Sequence, residues 1–224
     1  ESIAGASLAY RVGFGPEIIV TMLDDGMGSD GTAGDGIFSA EISAASFVSG
    51  DMVRWKVTAT DTAAATTVSP PFPDPNASTE YYGTIINDPG TSSALPILHW
   101  FVENPGAAET GSGTRASVFF NGEFYDNVFV RIRGDTARSW PKKSYKFDFN
   151  KGHDFRFDPA LPRVDEININ TTYTDKPYSR TVLAYDTFRD SGSPYSISFP
   201  LRVEQNGAFF SVALFVEQPD RDYL

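Results

Sequence analysis

The chain of 224 residues has no cysteine, only two histidines, and 18 Lys+Arg against 29 Asp+Glu. Without thiols there is no disulfide framework, zinc–thiolate site, iron–sulfur cluster or thiol nucleophile. The net charge of −11 excludes a general electrostatic grip on nucleic acid and argues against docking on anionic lipid. No apolar run approaches the ~20 residues that span a bilayer, so no membrane insertion is expected of this segment. A Gly-x-Ser-x-Gly nucleophile elbow is missing as well, which removes the main signal for a Ser-His-Asp hydrolase. Neither an initiator Met nor a signal peptide opens the sequence, and a segment of a longer protein is expected.

What is abundant is aromatic. Eighteen Phe and ten Tyr recur in short alternating strings broken by Gly, Pro, Asn and Asp, the composition of sheets rather than helices. The pattern predicts a mainly β, α+β protein. Strands are expected at 7–12, 17–23, 36–42 and 52–60, the last placing Val53, Trp55 and Val57 on one face and Arg54 and Lys56 on the other. These read as a small β-sandwich over 1–68, with its opening strand missing. Four prolines in 69–78 mark a linker, so 69–94 is taken as linker and docking segment and 95–224 as a second domain. In that second domain Asn121-Gly122 and Asn206-Gly207 predict tight hairpins. Tyr145, Phe147 and Phe149 share one face of a strand. One helix is expected, capped by Asp175 and ended by Gly192 and Pro194, with Tyr178, Val182, Tyr185 and Phe188 on its apolar spacing. The run 208–217 is apolar on both faces and should be a central strand.

Two constellations stand out. Residues 24–36 hold four carboxylates (Asp24, Asp25, Asp30, Asp35) and five glycines in 13 positions. Hard cations such as Ca²⁺ take six to eight oxygens, while a long turn with Asp side chains on backbone N–H groups explains the same residues without an ion. The second is basic. Six of the 18 cationic residues fall in the 16 positions from Arg131 to Lys146, around a loop that opens with Gly134. Such residues with free backbone N–H groups suit a polyphosphate; an amphipathic hairpin with a solvated basic face is the plainer reading. Alternation puts Lys143 with Tyr145 and Phe147 on one side, and Ser144, Lys146 and Asp148 on the other.

The run Arg131-Ile132-Arg133-Gly134…Arg138-Ser139…Pro141-Lys142-Lys143-Ser144-Tyr145-Lys146-Phe147 resembles the signature of the spore-coat protein H (CotH) kinases. Arg180…Leu183-Ala184-Tyr185 and Phe215-Val216-Glu217-Gln218-Pro219-Asp220 are similar to the same family, over roughly 95–224. Upstream, the Asp24–Phe38 run looks like an Asp/Gly-rich immunoglobulin-like module of bacterial surface proteins. The resemblance implies an atypical protein kinase, secreted or attached to the cell surface, that transfers phosphate from ATP to protein Ser or Thr. It implies a kinase-like N-terminal lobe, an antiparallel sheet with one principal helix, and a protein substrate or neighbouring surface protein as partner. Arg133, Gly134, Lys143 and Lys146 would face the nucleotide, Lys143 slightly ahead of Lys146, with Glu217 in the hinge that cradles adenine. Mg²⁺ or Mn²⁺ would be held by a C-terminal lobe beyond Leu224, so the chain by itself is expected to be inactive. The alternative is a non-catalytic extracellular structural or adhesion protein stabilised by Ca²⁺ at Asp24, Asp25, Asp30 and Asp35.

Overall fold

In the computed structural model, residues 3–219 are described. The N-terminal part is one antiparallel sheet built from β1 (Ile3–Val12), β2 (Ile18–Met22), β3 (Met52–Asp61), β4 (Thr66–Ser69) and β5 (Tyr82–Ile85). Strand β3 is its hub. It pairs with β1 along its whole length, and its other edge takes β4 beside Val57–Thr60 and β5 beside Met52–Trp55. The expected sandwich would need two facing sheets, and the described residues form a single five-stranded one. The strand expected at 36–42 is also absent. Apart from one isolated bridge between Leu23 and Ser39, that stretch is loop, because the glycines and aspartates before it hold the backbone in turns.

Residues 97–217 form a closed barrel: β6 (Ile97–Phe101), β7 (Thr114–Phe120), β8 (Glu123–Arg133), β9 (Ser144–Asp148), β10 (Glu166–Asn170), β11 (Ser198–Gln205) and β12 (Ala208–Glu217). Around the barrel the order is β6-β7-β8-β9-β10-β12-β11, and the β11–β6 seam is its only parallel pairing. Both Asn-Gly turns take positive φ at both residues, 47° and 85° at Asn121-Gly122 and 51° and 79° at Asn206-Gly207. Their twist matches the flanking strands. The expected antiparallel sheet is closed on itself, leaving no free barrel edge.

Inward-facing Val128, Val130, Tyr145, Phe147, Ile167, Ile169, Leu201, Val203 and Phe215 fill the barrel with Trp100 and Tyr125. Phe155 and Phe157 plug one end. Phe149 and Phe155 stack at 4.8 Å, Phe157 lies 4.9 Å from Phe215, and Phe199 stacks on Phe215 at 4.6 Å. Each large side chain buried here contributes about 1.5–3 kcal/mol. Strand β12 is central, between β10 and β11, yet only Ala213–Val216 are buried, and Phe209 near its hairpin end is 59% exposed.

Two short helices sit outside the barrel, α1 (Pro105–Ala108) and α2 (Arg180–Asp190). The Asn104 side chain caps α1 by accepting from Ala107 N–H at 3.1 Å. Asp175 caps α2 from outside the helix, its Oδ2 accepting from Arg180 N–H at 3.0 Å. No residue of α2 is buried. The helical spacing was legible, but the barrel is already full, so the helix rests on its surface.

The sheet and the barrel meet at a bulge in β8. Register shifts between Ala116 and Val118 opposite Tyr125–Val128, and Asn127 takes φ +55°. Asp126, 1% exposed, turns to the sheet. Its Oδ1 accepts from Ser117 Oγ at 2.7 Å and lies 3.3 Å from Arg54 Nη1, and its Oδ2 accepts from Tyr81 N–H at 3.0 Å. Arg54 also donates to Gly13 O at 3.0 Å and lies over the Phe14 and Tyr81 rings. The extra bulge residue, Asn127, donates to Pro75 O and Ser78 O, and Arg115 to Asn76 O. The proline-rich stretch is therefore anchored on the barrel. Where β5 crosses β8, Gly83 lets the Phe124 ring pack against the backbone; a Cβ there would lie 2.3 Å from the ring and would require it to move.

Removing one partner of a buried ion pair leaves the other charged, dry and unpaired, at a cost of about 3–5 kcal/mol. Asp126→Ala is expected to destabilise the protein by that amount, and Asp126→Asn by less. Urea denaturation followed by tryptophan fluorescence checks both.

Candidate functional site

Alternation along the barrel strands decides which side chains meet. Val130 and Ile132 point inward on β8, so Arg131 and Arg133 point outward. On β9, Tyr145 and Phe147 point inward, and Ser144, Lys146 and Asp148 outward. On β10, Ile167 and Ile169 point inward, and Glu166, Asn168 and Asn170 outward. Register places Arg131 beside Lys146 and Lys146 beside Asn168, forming one row across three strands. The row before it holds Arg133 and Ser144, and the row after it Asp148 and Glu166. At ~3.3 Å per residue the first and last rows are about 13 Å apart.

Lys146 is the centre of this face. Its ammonium lies 2.7 Å from Glu166 Oε2 and 3.5 Å from Asp148 Oδ1, with 15% of the side chain exposed. The Asp148 contact is an ion pair without hydrogen-bond geometry, since Asp148 Oδ1 is buried and accepts nothing. Burial pushes the Asp148 carboxyl up, the Lys146 charge opposes that, and Glu166 adds to it. Arg133 donates to Asn170 Oδ1 at 3.1 Å, and burial lowers its pKa. Asn168, 1% exposed, donates to Gln218 Oε1 at 2.8 Å while its own Oδ1 has no partner.

A cleft of about 970 Å³ opens where β9 and β12 end and β10 and β11 begin, lined by Phe157, Arg163, Glu166, Ile197, Glu217 and Gln218 among others. Glu166 is shared: it anchors Lys146 and forms part of the cleft wall. Glu217 Oε2 accepts from Ile197 N–H at 3.0 Å, fixing the rim.

The remaining sequence-derived residues fall elsewhere. Gly134 takes φ +89° as the chain leaves β8 and turns into a short 3₁₀ segment at Thr136–Ser139. Lys143 lies just before β9, on the alternation that points into the barrel. Its ammonium turns back to donate to Arg138 O at 2.7 Å. Lys142 donates to Thr172 Oγ1 at 3.0 Å and to Val212 O, above the Tyr178 ring. Asp186, on α2, pairs at the surface with Arg189 at 2.8 Å. Asp220 and Asp222 lie outside the described residues. The acids that meet a lysine, Asp148 and Glu166, come from strands instead. The shared alternation of Lys146 and Asp148 was a visible signal for the first, and nothing local announces the second.

In the N-terminal sheet's long loop, carboxylate oxygens of Asp24, Asp30 and Asp35 lie within 4.8 Å of one another. Asp25 is outside this group, and its Oδ1 accepts from Met27 N–H at 3.0 Å.

The Asp148 carboxyl titrates above its unfolded value, so the fold disfavours its ionised form and acid relieves that penalty. Lys146→Met removes the opposing charge. It should cost about 1.5–3 kcal/mol at neutral pH, and less as the pH falls through the raised titration range of Asp148, where the carboxyl becomes neutral. Carboxyl NMR titration should show Asp148 shifted further upward in the variant, and urea midpoints at neutral pH and below that range check the stability difference.

Residues 130–224 match a protein-family model described as CotH kinase protein. The match begins within β8 and takes in Arg131, Arg133, Lys146, Asp148, Glu166 and Glu217, but not the Asp24–Asp35 loop. No curated protein matches the chain. No helix among the described residues is long and apolar enough to cross a membrane. The outer face of β8–β10, with the cleft at its end, therefore lies within the part of the chain that is similar to CotH kinases.

Proposed function

We propose that this chain carries the nucleotide-facing part of an extracellular or surface-attached CotH-like protein kinase, which moves the terminal phosphoryl group of ATP to a Ser or Thr hydroxyl of a protein. The reading is carried by one observation. Within the family-matched segment, Lys146 is held between two carboxylates on the barrel's outer face, beside Arg131 and Asn168 and next to an open cleft. A lysine fixed by acids is a prepared point charge for phosphate oxygens. In this reading the phosphates lie along Arg131, Arg133 and Lys146, Gly134 lets the backbone approach them, and the adenine end occupies the cleft beside Glu217 and Gln218. Lys146 is preferred to Lys143, whose ammonium is already turned to a loop carbonyl.

The divalent cation that kinase chemistry requires does not fit this face. Its two carboxylates, Asp148 and Glu166, are both committed to Lys146. Among the described residues, the one grouping of three acids close enough to hold an ion is Asp24, Asp30 and Asp35, outside the family match. The contribution proposed for these strands is binding and charge neutralisation of the nucleotide, without metal coordination.

Titration calorimetry with ATP checks the proposal. Lys146→Met is expected to weaken ATP binding about 10-fold or more, the loss of one charge-assisted contact of ~1.5–3 kcal/mol. Lys143→Met should change it less than about 2-fold, in line with the small worth of an exposed surface charge. Equal affinity in both variants and the wild type, with the fold intact by circular dichroism, would overturn the assignment.

A further inference from the structure

We propose that Asp24, Asp30 and Asp35 bind one Ca²⁺ ion, which ties the 24–36 loop to the N-terminal sheet. The proposal is independent of the kinase reading.

Electrostatics comes first. Between Val12 and Val53 there is no Lys, Arg or His, and there are seven acids. Among the described residues, no salt bridge involves Asp24, Asp30 or Asp35; the ion pairs of this sheet are made by Glu17, Arg54 and Lys56. Three carboxylates thus converge within 4.8 Å with no cation of the protein to balance them. That arrangement is repulsive without an ion.

Hydrogen bonding is the second, independent observation. Asp24 is satisfied: its Oδ1 accepts from Gly34 N–H at 2.6 Å and Asp35 N–H at 3.2 Å, and its Oδ2 from Gly36 N–H at 2.9 Å. Asp35 Oδ1 accepts from Ile37 N–H at 2.9 Å. These bonds alone would fit an ordinary turn built on Asp side chains. Asp30 does not fit it. The residue is 4% exposed, its Oδ2 accepts from Gly26 N–H at 2.5 Å, and its Oδ1 is buried with no partner. A buried carboxylate oxygen that accepts nothing is costly. A cation supplies the missing partner for Asp30 and the missing charge for all three.

The donor set selects the ion. It is all oxygen, with no thiolate or imidazole, which suits hard cations and not zinc or copper. Oxygens bonded to one ion at ~2.4 Å can lie up to about 4.8 Å apart, the span seen here. Ca²⁺ accepts irregular shells completed by carbonyls and water, whereas Mg²⁺ demands a compact octahedron. The loop leaves the sheet after β2 and is fastened back by the Leu23–Ser39 bridge, so an ion within it closes a segment that has few other ties.

The test uses the purified chain stripped with a chelator and titrated with CaCl₂ alone. One ion per chain is expected by calorimetry, with a melting temperature that rises with CaCl₂ and rises less with MgCl₂ at equal ionic strength. Asp30→Asn should weaken Ca²⁺ binding about 10-fold or more, as expected where ligand charge count sets affinity. Asp25→Asn should bind as wild type. If Asp30→Asn does not fold, Asp35→Asn and the wild-type titration carry the same comparison. The proposal is overturned by an absence of binding heat and of thermal shift up to about 10 mM CaCl₂, above the ~10⁻³ M of weak extracellular sites. Equal response to Mg²⁺, or wild-type affinity in Asp30→Asn, would overturn it too.

Discussion

The Asp126 carboxylate, sealed between the sheet and the barrel, is the contact on which the architecture turns. It receives a guanidinium from β3, a hydroxyl from β7 and a backbone N–H from the segment entering β5. Its own carbonyl accepts from Asn150, just past β9, at 2.7 Å. Partners from β3, β7, the segment entering β5 and the turn after β9 converge on one residue. Such a centre supports the fold only when fully partnered, because a buried charge with a missing contact is penalised by desolvation. The β8 bulge makes this possible. Without its extra residue, alternation could not keep both Tyr125 and Val128 in the barrel while turning Asp126 to the sheet.

The same economy shapes the outer face. The barrel interior is filled with aromatic and aliphatic side chains, so the polar residues of β8, β9 and β10 are forced outward, where register aligns them in rows. Lys146 is central because Asp148 sits two residues along its own strand and Glu166 at the start of the next. The cleft beside them exists because four strands stop near one end and the Phe155–Phe157 segment plugs the barrel below. Binding features at the end of a rigid strand array are held more firmly than on free loops, since the barrel closure fixes the backbone on every side. The acidic loop of the N-terminal sheet is a contrasting case. There the backbone is shaped by turns, and the carboxylates are left without balancing charge.

Much was readable from local pattern. The alternation of Tyr145, Phe147 and Phe149, both Asn-Gly hairpins, the helix near 180–190 and the clustering of acids in the Asp/Gly loop follow from period, turn chemistry and composition. Other features were not readable, for physical reasons. The stretch 36–42 has strand-like residues but no strand partner beyond one bridge, and a strand is defined by its neighbour. The N-terminal strands carry apolar faces suited to a sandwich, yet what those faces pack against is a property of the whole chain. Helix α2 has helical apolar spacing, but spacing does not state whether a filled barrel leaves it anything to bury.

The sequence by itself determined which residues could share a face: Lys146 with Asp148, Arg131 with Arg133, and four aspartates in one loop. It also determined the chemistry excluded by missing thiols and scarce histidines. Only the tertiary structure decided which face was inside, that Lys146 and not Lys143 meets carboxylates, that Glu166 reaches it from another strand, and that Asp30, alone of its group, keeps a buried oxygen without a partner. The reason is the same in each case. Alternation and turn propensity act over a few residues, while register, closure and burial depend on strands brought together from far apart in the chain.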